Sequence, residues 1–206
     1  MSGEKGRTTY FMDYKKNLMN KGAKLTMVVL VISFCLLFVG YLQAADIDKL
    51  VQQLNDGDLI VRLHAIKALG DMKDASTVES LISNLKDDKC GCTAANALAE
   101  IGKPSVEPLI TALRSESPIA RKNAAIALGK INDASSVKSL IITLKDEDPL
   151  VRGSAATALG RINDTVAVDP LMIALKDENS VVRRDAAAAL KEMGSSETLV
   201  ADILHE

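Results

Sequence analysis

Asp148-Pro149-Leu150-Val151-Arg152-Gly153-Ser154-Ala155-Ala156-Thr157-Ala158-Leu159-Gly160-Arg161-Ile162 is the stretch whose reading decides the fold, because the chain repeats it. The nearest copy is Asp58-Leu59-Ile60-Val61-Arg62-Leu63-His64-Ala65-Ile66-Lys67-Ala68-Leu69-Gly70. Further copies run from Pro118 to Ile131 and from Val181 to Leu190, and a degenerate one begins at Lys89-Cys90-Gly91-Cys92. They close on Leu69, Leu98, Leu128, Leu159 and Leu190, in steps of 29, 30, 31 and 31 residues. A fixed period of this length marks a repeat architecture, in which each unit buries its apolar face only by stacking on its neighbours.

Each unit reads as two helices. The first carries leucines four apart, as in Leu50/Leu54, Leu81/Leu85, Leu109/Leu113, Leu140/Leu144 and Leu171/Leu175, a spacing that sets both on one helical face. A polar turn follows, such as Lys145-Asp146-Glu147-Asp148. Pro118 and Pro149 then stand where a second helix begins and a missing N–H is tolerated. Val151, Ala155, Ala156, Leu159 and Ile162 form the apolar stripe of that helix, with alanines small enough for close approach. Gly70, Gly129 and Gly160 are expected to mark the turn at its end. The reading is an all-α solenoid of about five two-helix units over residues 46–206, closed by a capping helix at Ser195–Glu206 through Leu199, Ile203 and Leu204.

The Asp-x-x-Val-Arg-x-x-Ala-Ala-x-Ala-Leu-Gly-x-Ile pattern at 148–162 resembles the HEAT-like repeat, specifically the short variety first associated with phycobilisome lyases. The resemblance covers about residues 46–194. It implies a helical solenoid but several kinds of work, since proteins with such repeats include chromophore lyases, a metal-dependent hydroxylase and plain interaction scaffolds.

Composition narrows that choice. Aromatic residues make up 3% of the chain, Trp is absent, and all three Phe and three Tyr lie at or before Tyr41. Residues 46–206 therefore lack the stacking surfaces expected of a tetrapyrrole pocket or of a base-binding platform. Charge is split as well. Residues 1–45 hold six Lys/Arg and two Asp/Glu, whereas residues 46–206 hold 19 and 25, so the repeats are net acidic. An acidic stack argues against nucleic acid as partner.

The leader has its own logic. Residues 1–24 are basic, with Lys15, Lys16, Lys21 and Lys24, and residues 25–45 carry no charge. A positive flank, an apolar centre and the small-residue end Ala44-Ala45 are the parts of a secretory signal. If uncleaved, the same run is long enough to anchor the chain in a membrane. Both readings place the repeats outside the cytoplasm. Met19 offers a shorter start with an ordinary charged leader.

Candidate sites follow from register. Arg62, Arg121, Arg152 and Arg183 hold one position in four units. They are expected to form a structural ladder between units, with Asp58, Asp148 and Asn179 available in the turn four residues earlier. His64, Thr93, Asn123, Ser154 and Asp185 stand five residues before each closing leucine, and Lys67, Asn96, Ile126, Thr157 and Ala188 two before it. Both rows point away from the apolar stripe and are expected to line a concave, polar, mildly acidic groove for a protein partner. Cys90 takes an apolar slot and Cys92 the exposed side, so a Cys-Gly-Cys redox or metal-binding role is the competing reading. The hydroxylase resemblance would require several His-Glu pairs, and the chain has His205-Glu206 alone, with His64 the other histidine. The expectation is a non-catalytic scaffold with no cofactor, no metal and no small-molecule substrate. A lyase-like, hydroxylase-like or redox role is the alternative.

Overall fold

The computed structural model describes residues 46–194, and these are helical apart from short turns. The leader, the 25–45 run, Cys35, the Ser195–Glu206 cap and the His205-Glu206 pair lie outside the described residues. Among the described residues, no helix is long and apolar enough to cross a membrane.

First helices are short: α1 over residues 46–53, α3 Val78–Ile82, α5 Val106–Ala112, α7 Val137–Thr143 and α9 Val168–Ala174. Second helices are longer: α2 Leu59–Met72, α4 Gly91–Ile101, α6 Pro118–Ile131, α8 Pro149–Ile162 and α10 Ser180–Glu192. The second helices pack side by side in chain order, and from α3 onward each first helix lies on the second helix of its own unit. Between the two layers runs a core of the stripe residues. The first-helix leucines Leu81, Leu109, Leu140 and Leu171 and the closing leucines Leu69, Leu98, Leu128 and Leu159 are all fully buried.

Local chemistry sets the ends of these helices. Asp58 Oδ1 accepts from the Ile60 amide at 2.8 Å, Asp148 Oδ1 from Leu150 at 2.7 Å, and Asn179 Oδ1 from Val181 at 2.9 Å. Each satisfies a donor that the first turn leaves unpaired. At the far end the chain enters the left-handed region at Lys73, Asn132 and Asn163, with φ of 53°, 60° and 56°. Asp74, Asp133 and Asp164 follow and cap the 3-10 turn that starts the next unit. The recurring Asn-Asp pair is thus a helix stop joined to a helix start.

The glycines have a different task from the one expected. Gly70, Gly129 and Gly160 are buried inside α2, α6 and α8, not at their ends. A Cβ on any of them would lie 2.7 Å from the Cα of Ala97, Ala158 or Ala189 in the next second helix. They are glycines because two backbones meet there.

Candidate functional site

The arginine row closes into a ladder, with partners other than those expected. Arg152 sends Nε and Nη2 to the two carboxylate oxygens of Asp177, at 2.8 and 2.9 Å, and its Nη1 to the carbonyls of Asp146 and Glu147 in its own turn. Arg121 does the same with Asp146, at 2.8 Å for both bonds, and with the carbonyls of Ser115 and Glu116. One guanidinium therefore ties its own turn to the turn of the following unit. Asp58 and Asp148 are N-caps instead, because a carboxylate so near the helix start meets the first-turn amides before it can reach the guanidinium. The carboxylates that complete the ladder were missed from sequence. Their signal was the constant separation Arg62–Asp87, Arg121–Asp146 and Arg152–Asp177, 25 residues in each case.

The rungs differ in quality. Side chains of Arg152 and Asp177 are 9% and 12% exposed, and those of Arg121 and Asp146 are 9% and 11%. Arg62 reaches Asp87 only at 3.8 Å, through Nη2, and its buried Nε has no hydrogen-bond partner. Burial alone would push the Asp177 carboxyl up. The Arg152 guanidinium and the Asn179 amide outweigh it and hold Asp177 below the usual carboxylate range. Arg183 bonds the carbonyls of Asp177 and Glu178 in its own turn.

The two rows assigned to the groove share the outward stripe of the second helices. His64 and Lys67 are exposed, as is Ala188, and Thr93, Asn96, Ile126, Ser154, Thr157 and Asp185 are half-buried. Asn123 is a correction to the groove reading. It is 2% exposed, and its Nδ2 donates to the Leu85 carbonyl at 2.8 Å. The neighbouring unit carries Gly91 there, and the missing side chain gives Asn123 room to turn inward. Four residues beyond the second row the stripe continues with exposed Asp71, Glu100, Lys130, Arg161 and Glu192, so its charge is mixed along the stack, not uniformly acidic. At the other end it carries Ile60 and Leu150, exposed at 69% and 56%.

Several of these hydroxyls are already engaged locally. Ser154 and Thr157 donate to the carbonyls of Leu150 and Gly153 one turn back, an arrangement that leaves the oxygen's lone pairs free to accept. Cys90 is fully buried at the N-terminus of α4 and Cys92 is exposed two residues on; both are free thiols. Among the described residues, no group of three His, Cys, Asp or Glu is placed to hold a metal ion. A cleft of about 320 Å³ opens elsewhere, between α7 and α9, against Ile141, Leu144, Pro170 and Ile173.

Sequence comparison fits this geometry. The model of HEAT repeats matches residues 47–106, 91–142 and 137–204. The chain belongs to the HEAT-repeat family. No curated protein matches the sequence. Among solved structures, the CpcE–CpcF complex of phycocyanin lyase from Nostoc superposes with a TM-score of 0.57 at 23% identity, over 74% of this chain and 66% of that one. YibA of Escherichia coli gives 0.59 at 22% identity, over 76% and 62%. This HEAT-repeat chain thus spans slightly less than two thirds of either neighbour, and likeness at that identity is likeness of fold.

Proposed function

We propose that this HEAT-repeat chain is a non-catalytic scaffold that holds a protein partner on the outward face of its second helices. The observation that carries the reading is the contrast between two kinds of position. Residues that face the neighbouring unit repeat in most copies as Arg, Ala, Leu and Gly. Residues of the outward stripe change from unit to unit: His64, Thr93, Ser154 and Asp185 in one row, Lys67, Asn96, Ile126, Thr157 and Ala188 in the other. A stack of near-identical units that varies its side chains along the outward stripe of its longer helices suits the reading of an extended partner. Short polar side chains, with Ile60 and Leu150 at the edge, suit many modest contacts more than a few aromatic anchors.

The basic leader and the apolar 25–45 run support placing this face outside the cytoplasm, either exported or anchored. Protease added to the outer side of intact membranes is expected to digest the repeats, and full protection would contradict this placement. The binding reading is tested by affinity capture from envelope extract with the chain as bait, beside two triple variants. Lys67→Glu/Thr157→Glu/Arg161→Glu alters the proposed face, and Glu79→Lys/Glu107→Lys/Lys138→Glu alters exposed positions of the first helices. A protein retained by the second variant and lost from the first is the expected result. Equal capture by both would sink the assignment.

A further inference from the structure

The seams between successive second helices are unequal, and one of them departs from the others at every position that ties neighbours together. At the α2–α4, α6–α8 and α8–α10 seams a glycine lets two backbones meet, at Gly70, Gly129 and Gly160. The residue in register on α4 is Ala99, which is half-buried, so this seam lacks the backbone-contact glycine of the other three. The ladder is broken at the same place. Gly91 stands where the other units have arginine, and Ser115 stands where the third unit should offer the carboxylate. Ser115 Oγ accepts the Ser117 amide, as Asp146 and Asp177 accept the amides of Asp148 and Asn179, so the turn keeps its shape and loses only its charge. Both members of one ion pair are missing together.

What fills the gap is weaker. Asn123 reaches Leu85 across the seam with one hydrogen bond, and its buried Oδ1 is left without a partner, as is Ser105 Oγ in the same unit. A buried polar atom without a partner lowers stability. The connection itself is irregular, with Gly102 at φ 81° in place of the Asn-Asp stop and start. Helix α4 has 11 residues against 14 in α6 and α8. One more bond crosses the seam, from Lys130 Nζ to Asn96 Oδ1, but it is exposed and contributes little.

We infer that the stack carries a soft joint between its second and third units, across which the first two units open together ahead of the other three. In a linear array stability is a sum of units and nearest-neighbour seams, so opening divides the array at its weakest seam. The α2–α4 seam keeps the Gly70–Ala97 backbone contact, and this contact, more than the open Arg62–Asp87 pair at 3.8 Å, holds the first two units to each other.

Hydrogen exchange followed by mass spectrometry on the full chain tests this. Peptides from α2 and α4 are expected to exchange at one common rate, at least about ten-fold faster than those from α6 and α8. Asn123→Ala removes the buried polar tie and is expected to speed α2 and α4 by a further ~ten-fold, leaving α8 and α10 unchanged. The inference is overturned if α4 exchanges as slowly as α6 while α2 alone is fast, which is simple fraying from an end. It is also overturned if wild-type α4 and α6 share one rate, or if Asn123→Ala accelerates all helices alike.

Discussion

Arg152 shows how much one side chain does in this molecule. Its guanidinium is nearly buried and makes four hydrogen bonds, two to Asp177 of the next unit and two to carbonyls of its own turn. Replacing it by Met leaves Asp177 buried without its counter-charge, a change expected to cost about 3 kcal/mol in chemical denaturation. Arg62 holds the same position with an open pair at 3.8 Å, and Arg62→Met should cost clearly less than Arg152→Met. Equal losses would mean that the rungs do not differ as their geometry implies. The same pair sets a pH dependence. Because Asp177 is held below its ordinary value, its contribution is present above the unfolded carboxylate pKa of about 3.9 and is lost as pH falls through the lower folded-state value. Asp177→Asn should therefore be less stable than wild type at neutral pH, and the difference should shrink as acid is added below about pH 4. A gap that stays constant with pH would refute this. The arginines were legible as a ladder from their register alone, but their carboxylates were not. A reading confined to one unit chooses the nearest acid, whereas the actual partner depends on how far a side chain reaches into the next unit. Asn123 was misread for a related reason, since its burial is decided by a glycine in the neighbouring copy.

At the scale of the helix, the sequence revealed the element order and the core stripe because leucine spacing of four and a recurring Ala-Leu pattern leave few alternatives. The helix ends were less plain. Glycine near the end of a helical run suggests a left-handed cap, yet here that conformation falls to Lys73, Asn132 and Asn163, and the glycines lie earlier, where helices touch. The two roles predict different mutants. Gly160→Ala places a methyl 2.7 Å from the Ala189 Cα, and overpacking of this kind is expected to cost about 1–3 kcal/mol despite the better helix propensity of alanine. Gly57→Ala, with nothing within 4 Å of its new methyl, should stay within about 0.5 kcal/mol of wild type. Thermal or urea unfolding of the two variants side by side decides it. A stabilised Gly160→Ala would mean that α8 and α10 do not approach as closely as described.

At the scale of the whole repeat array, largely repeated packing positions carry stability, and the variable outward positions are the face proposed for recognition. The ladder, the backbone-contact glycines and the Asn-Asp turns hold neighbouring units in register. The outward stripe differs from unit to unit, and under the proposed function those differences select the partner. If the outward stripe is the binding face, its aromatic scarcity and mixed charge mean affinity gained by length, so single substitutions on it should weaken binding modestly and combined ones strongly. The most direct measurement is site-specific photo-cross-linking in the intact cell, with the reactive residue placed at Thr157 on the outward stripe or at Ile142 on the first-helix side. The account predicts a discrete protein adduct from position 157 and none from position 142. An adduct from 142 alone, or none from 157, would contradict it.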